Sequence, residues 1–235
     1  MPTGSVEARH RLGFGSVLKN ASLAVVLMAL GAAVSPAQPE VFVVDGEASQ
    51  VRIHLGRAGL LKFLGHEHEI DAPVTKGRVD VDMADPTRSR VDLFWEAPLL
   101  ALVPGTEPEK DVPEVEERMR GPEVLEVETY PGIRFWSFEV HVEDARPESG
   151  AWRLRVRGGL ELKGARHTVE IPLDVRRDGA TLVATGEVEL RLSHIGIEPP
   201  SVAGVVNVSD KFRLAFEVHA EVLEPQPEAS STSPS

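Results

Sequence analysis

The chain has 235 residues, 42% hydrophobic, 26% charged and 5% aromatic, a composition that fits one water-soluble domain able to bury a sizeable core. Its 25 Lys and Arg stand against 37 Asp and Glu, and the formal charge of −12 argues against an electrostatic grip on nucleic acid or on an anionic membrane face. No cysteine is present, which excludes a disulfide framework, a thiol nucleophile, thiolate zinc sites and an acylated N-terminal cysteine.

Residues 1–20 are polar with the cations Arg9, Arg11 and Lys19, and residues 21–34 then run ASLAVVLMALGAAV without a charge. This is the layout of a signal peptide. Fourteen residues of helix reach only about 21 Å, short of the roughly 30 Å hydrocarbon core, so the run reads as a cleavable apolar region and not as an anchor. His10 separates the two arginines, so there is no twin-arginine signal. Small residues at Ser35, Pro36 and Ala37 place the expected cut after Ala37. The expected organisation is a leader over 1–37, a folded domain over 38–223 and a disordered tail over 224–235, where EPQPEASSTSPS is too poor in apolar residues to order itself. Losing the leader removes three cations and one acid, so −12 becomes −14. The mature protein is expected to be periplasmic or secreted, with no membrane span.

Within the domain the dominant pattern is period two, the mark of strands with one face in a core and one in water. Short strands are expected over 41–45, 50–55 and 66–74. Gly77, Val79, Val81 and Met83 then alternate with Lys76, Arg78, Asp80 and Asp82, and Val91, Leu93 and Trp95 alternate with Arg90, Asp92 and Glu96, with Phe94 breaking the polar row. A helical interlude follows over 113–127, where Pro113 and Pro122 suit first turns, Glu114, Glu116 and Glu117 complement a helix N-terminus, and Gly121-Pro122 should divide it into two short helices. The stretch 133–142 is a strand by composition but apolar on both registers, so its inner face stays unassigned. Residues 152–163 alternate Trp152, Leu154, Val156, Leu160 and Leu162 with Arg153, Arg155, Arg157, Glu161 and Lys163. A tight connection at 163–166 leads into His167, Val169, Ile171, Leu173 and Val175, a hairpin. Two more alternating runs cover 182–192 and 211–220. Ten antiparallel-compatible strands without a long crossover helix define an all-β fold, and periodicity leaves barrel and sandwich open.

Several stretches together resemble one known family: Arg118-Met119-Arg120 through Glu123-Val124-Leu125 to Tyr130-Pro131-Gly132-Ile133-Arg134-Phe135-Trp136-Ser137, then Gly159-Leu160-Glu161-Leu162-Lys163-Gly164, then Ile195-Gly196-Ile197 and Val208-Ser209-Asp210. In this order they are similar to the YceI-like, polyisoprenoid-binding family of bacterial periplasmic proteins, over roughly residues 41–222. The resemblance implies an antiparallel eight-stranded lipocalin-like barrel with a short helical segment, enclosing an apolar channel for the tail of an isoprenoid quinone or polyprenyl lipid. The function so implied is a non-enzymatic carrier or sensor. The residues expected to meet such a ligand are Trp95, Phe135, Leu154, Val156, Leu160, Val169, Ile171, Leu190, Phe212, Leu214 and Phe216 along the shaft and Arg120 at the rim. Burying a tail gains about 0.8 kcal/mol per CH₂, so the shaft needs no polar contact. The same residues could instead fill a solid core and leave no channel.

The histidines depart from the family pattern. His66 and His68 flank Glu67 and so share one strand face, on the register of Ile70, Ala72 and Val74. His167 heads the row Val169, Ile171 and Leu173, and His194 ends the row Val188, Leu190 and Leu192. His54 and His219 fall on charged faces. Two readings stand: neutral imidazoles closing a barrel end or touching a head group, and an open zinc or copper site built on His66, His68 and His194, which could activate water. Nucleophilic catalysis has little support, since Ser193 and His194 would point to opposite faces of a strand and no Gly-x-Ser-x-Gly elbow occurs. Gly158-Gly159 reads as a bend in a barrel strand. Trp136 and Phe138, if they face outward, favour an interaction surface or a homodimer.

Overall fold

The computed structural model describes residues 39–58, 68–202 and 206–223. The expected leader, the tail and His66 lie outside these residues. The first strand, β1 (Glu40–Ala58), merges the two short strands expected at its N-terminal and C-terminal halves. It is followed by β2 (His68–Asp71), β3 (Lys76–Val81), β4 (Arg90–Glu96) and β5 (Ala101–Leu102), then by one helix, α1 (Val112–Arg120). Six more strands complete the order: β6 (Gly132–Arg146), β7 (Ala151–Leu162), β8 (Ala165–Asp178), β9 (Thr181–Arg191), β10 (Ser201–Val202) and β11 (Val206–Val222).

The strands β11-β9-β8-β7-β6-β4-β3-β1 are hydrogen-bonded in that sequence, and β1 pairs back with β11, so eight strands close into an antiparallel barrel. This resolves the choice that periodicity left open. β2 and β3 lie end to end along β1, with Leu55 opposite His68 and Phe42 opposite Val79. Between them the chain turns a corner. The β1 register slips between Asp45 and Gln50, where Asp45 Oδ1 accepts the N–H groups of Glu47 (3.0 Å) and Ala48 (3.1 Å). Gly46 at this bulge lies so close to the Val74 carbonyl that a Cβ there would overlap it.

The two-residue turn of the β7–β8 hairpin has Lys163 at φ 49° and Gly164 at φ 69°, the doubly positive pattern whose twist matches antiparallel strands. Strand β6 shows why its inner face could not be read. A bulge between Ser137 and Glu139 shifts the alternation by one residue, so Phe135 pairs with Leu160 before it and Val140 with Val156 after it, both inward. Trp136 and Phe138 face outward, and Phe138 is 46% exposed. The buried Ser137 accepts the Val91 N–H through its Oγ at 2.9 Å, extending the β4–β6 ladder by one bond.

Gly158 and Gly159 lie within the unbroken strand β7. They seat two rings: a Cβ on Gly158 would overlap the Phe135 ring inside the barrel, and one on Gly159 would overlap the Trp136 indole outside it. The helical interlude also differs from expectation. Only 112–120 is helical. Residues 121–130 form turns, because Gly121 adopts φ −70° and ψ 175° and Glu126 sits at φ 51°. The outer edge of β5 meets α1 in place of a strand: Glu116 Oε1 accepts the Leu102 N–H at 3.1 Å, Arg120 Nη2 donates to the Leu100 carbonyl at 3.2 Å, and the two side chains pair at 3.2 Å. After β9 a short turn carries Ser193 and His194, which therefore do not share a strand. Asp210 pins it by accepting the Ser193 N–H (2.9 Å) and hydroxyl (3.0 Å), and these bonds, with Arg191 beside them, hold its carboxyl below the usual carboxylate range.

Three outcomes are expected. Gly158→Ala forces the Phe135 ring from its seat and costs about 1–3 kcal/mol, whereas Gly179→Asn, at φ 59° with nothing within 4 Å, stays within about 0.5 kcal/mol of the parent in urea unfolding. Glu116→Ala leaves the Leu102 N–H without an acceptor and costs about 1–3 kcal/mol, while Glu116→Gln restores most of the loss. The depressed Asp210 contributes stability that is present above its unfolded pKa and lost as pH falls through its folded one. Asp210→Asn should therefore lower the melting temperature at neutral pH and flatten its decline in acid.

Candidate ligand-binding site

The barrel ends differ. At the end of the β6–β7 and β8–β9 turns, Phe42 is completely buried with Leu182 and Ala220, and Val44, Val79, Val81, Val175 and Val222 close around them. At the other end, Val112, Val115 and Met119 of α1 and Val124, Leu125 and Val127 after it cover the opening, packed on the main core cluster. Two contacts brace this cover from across the mouth: Lys163 Nζ donates to the Pro122 carbonyl at 2.9 Å, and the Tyr130 ring lies over Gly164.

Between the two ends, many inward-facing side chains are only half-buried. Leu55, Leu93, Trp95, Phe135, Leu160, Val188, Leu190, Leu214, Phe216 and Val218 keep accessible surface although the outer rows of the same strands are charged and the sheet has closed on itself. In a closed barrel that surface borders space within the wall. Phe216 lies over Gly186 as Phe135 lies over Gly158, and both rings rest along the wall.

Of the residues singled out from the sequence, Trp95, Phe135, Leu160, Leu190, Leu214 and Phe216 line this space half-buried, and Val169, Ile171 and Phe212 are buried in the same cluster. Leu154 and Val156 form a separate buried cluster with Val140. The Trp95 indole N–H donates to the Ala72 carbonyl at 3.1 Å. Arg120 belongs to the helical mouth, engaged with Glu116 and Leu100.

Among the histidines, His68 faces inward on β2 and His167 inward at the head of β8, beside Gly196. His194 is exposed on its turn, where the chain leaves β9 before the inward row can continue. Of the three-histidine metal set, His66 falls outside the described residues, and among the described residues no group of three metal-capable side chains comes together. His54, His141 and His219 face outward beside Glu69, Glu139 and Glu217.

One residue went unnoticed in the sequence. Glu107, in the loop between β5 and α1, has a side chain only 2% exposed, with Oε1 2.6 Å from His68 Nδ1. Nothing in its local sequence, Thr106-Glu107-Pro108, distinguishes it from the solvated acids around it; only the fold brings it inside. Four buried side-chain atoms lack hydrogen-bond partners among the described residues: His68 Nδ1, Glu107 Oε1, Arg120 Nε and His167 Nε2. All four belong to the elements at the helical end. The candidate site thus joins a half-buried apolar inner wall to a helical end that carries these unpartnered polar atoms.

No helix among the described residues is long and apolar enough to cross a membrane. No curated protein matches the chain by sequence. Solved structures that share its fold include two from bacteria. BcnA of Burkholderia cenocepacia is 18% identical with a TM-score of 0.57, over 75% of this chain and 98% of that one. A polyisoprenoid binding domain from Saccharophagus degradans, implicated in plant cell wall breakdown, is 14% identical with a TM-score of 0.54, over 79% of this chain and 100% of that one. A family model described as YceI-like domain matches residues 42–220, nearly the whole barrel from Phe42 to Ala220, and the chain belongs to that family.

Proposed function

We propose that this protein is an exported, non-enzymatic carrier or sensor that holds one amphiphilic lipid of the isoprenoid quinone or polyprenyl type, tail in the barrel and head at the helical mouth. The observation that carries the reading is the half-buried inner wall: aliphatic and aromatic side chains bordering space within the barrel. Every CH₂ moved from water into such a shaft gains about 0.8 kcal/mol, so a tail of several isoprene units can bind firmly without a polar partner along its length. The branched, flexible geometry of an isoprenoid suits a shaft lined by Leu, Val and flat-lying Phe. The polyisoprenoid binding domain that shares the fold supports the ligand class. Export is supported by the uncharged run at 21–34 behind three cations. The charge of the mature chain lies on the outer registers of the strands, as in the row Arg153, Arg155 and Arg157, and leaves the inner wall neutral.

Extraction of protein purified from its own cells, followed by mass spectrometry, should return one isoprenoid per chain; protein that is consistently empty and takes up no quinone analogue overturns the reading. Leu214→Trp, placed on the half-buried inner wall, should abolish uptake while retaining a cooperative thermal transition. Uptake unchanged by that substitution would place the ligand elsewhere.

A further inference from the structure

The unpartnered atoms at the mouth carry information about the head group. Glu107 is a carboxylate withdrawn from water, and such a group needs donors. His68 Nδ1 lies 2.6 Å from its Oε1, an ion-pair distance, yet neither atom has a hydrogen-bond partner among the described residues. His68 is 23% exposed, whereas Glu107 is almost fully enclosed, so the ring is the more accessible half of the pair. His68 also shares its register with Ile70, which lies opposite Ile53 on the inner wall. The pair therefore stands where the apolar shaft gives way to polar groups, and it is incomplete without a third partner.

We propose that Glu107 and His68 together recognise a neutral head group bearing a hydroxyl, an alcohol, phenol or hydroquinone, and discriminate against a phosphate-terminated lipid. The inference rests on the reading of the barrel as a lipid site and adds the class of head group. A hydroxyl has the two properties that the pair lacks: its hydrogen can go to Glu107 Oε1, and its oxygen can accept from a protonated nitrogen of His68. A phosphate brings acceptors and negative charge to a carboxylate already sheltered from water, where like charges disfavour one another most. Among the described residues at the mouth, the cations are already engaged. Arg120 is occupied by Glu116 and the Leu100 carbonyl, with only its Nε unpartnered, and Lys163 is held by the Pro122 carbonyl.

Geranylgeraniol and geranylgeranyl phosphate, which share one tail, test this in titrations of the full chain followed by tryptophan fluorescence. The wild type should bind the alcohol at least about tenfold more tightly than the phosphate, and Glu107→Gln should narrow that ratio to about threefold or less, mainly by gaining affinity for the phosphate. If Glu107→Gln fails to fold by circular dichroism, His68→Gln serves in its place and should weaken alcohol binding while phosphate binding stays poor. Equal affinities in the wild type, an unchanged ratio in Glu107→Gln, or unchanged alcohol binding in His68→Gln would overturn the head-group assignment and leave the lipid site standing. A wild type that binds neither probe would overturn both.

Discussion

The pairing of β1 with β11 is the constraint on which the rest depends. It runs from Phe42 opposite Val222 to Ala58 opposite Asn207 and converts a long antiparallel sheet into a closed wall. Closure removes the two edges that such a sheet would expose and gives every alternating strand an inside and an outside. β1 must also follow the curvature of the wall, and it does so through its bulge between Asp45 and Gln50, matched on the other side by the break between β2 and β3. Beyond that corner β2 and β5 continue the wall, and α1 covers the edge of β5 with a carboxylate and a guanidinium in place of a partner strand.

Closure makes an interior, and glycines seat the rings that face it. An inward aromatic ring projecting from its strand would cross a small barrel. Here Phe135 and Phe216 lie over Gly158 and Gly186, neighbours without a side chain, and rest against the wall. The same device works on the outside, where Trp136 covers Gly159 between the guanidinium groups of Arg134 and Arg166, at 5.8 and 5.4 Å, and Phe94 covers Gly132. The family's recurring residues acquire a physical meaning from these contacts. Tyr130 covers Gly164, Pro131 accepts the Ala97 N–H through its carbonyl at 2.8 Å, Gly132 seats Phe94, and Gly159 seats Trp136. The motif is a set of ring-on-glycine contacts joining the helical cover to β4, β6 and the β7–β8 hairpin.

The site divides its tasks by polarity. The shaft contributes hydrophobic transfer, which is strong and indifferent to detail, while the mouth concentrates the buried unpartnered atoms, which are sensitive to detail because each needs a matched partner. On the proposed reading, affinity for a long tail and selectivity for its head reside in different residues. The helical cover lies between them, packed on the core by Met119 and tied to the rim by Glu116 and Arg120.

Period-two alternation determined, from the sequence alone, that the chain is antiparallel β, which residues face inward on β7, β8, β9 and β11, and that the charge lies outside. It did so because a strand's two faces are a local property. It failed on β6, where one extra residue at Phe138 shifts the register; the helix signals failed on residues 121–130, where Gly121 is extended and Glu126 sits at positive φ, so that turns replace a second helix. Closure of the barrel, the seating of rings on distant glycines and the meeting of Glu107 with His68 were decided only by the tertiary structure. Each joins residues that are remote in the chain, and no local pattern records which strand will be the neighbour.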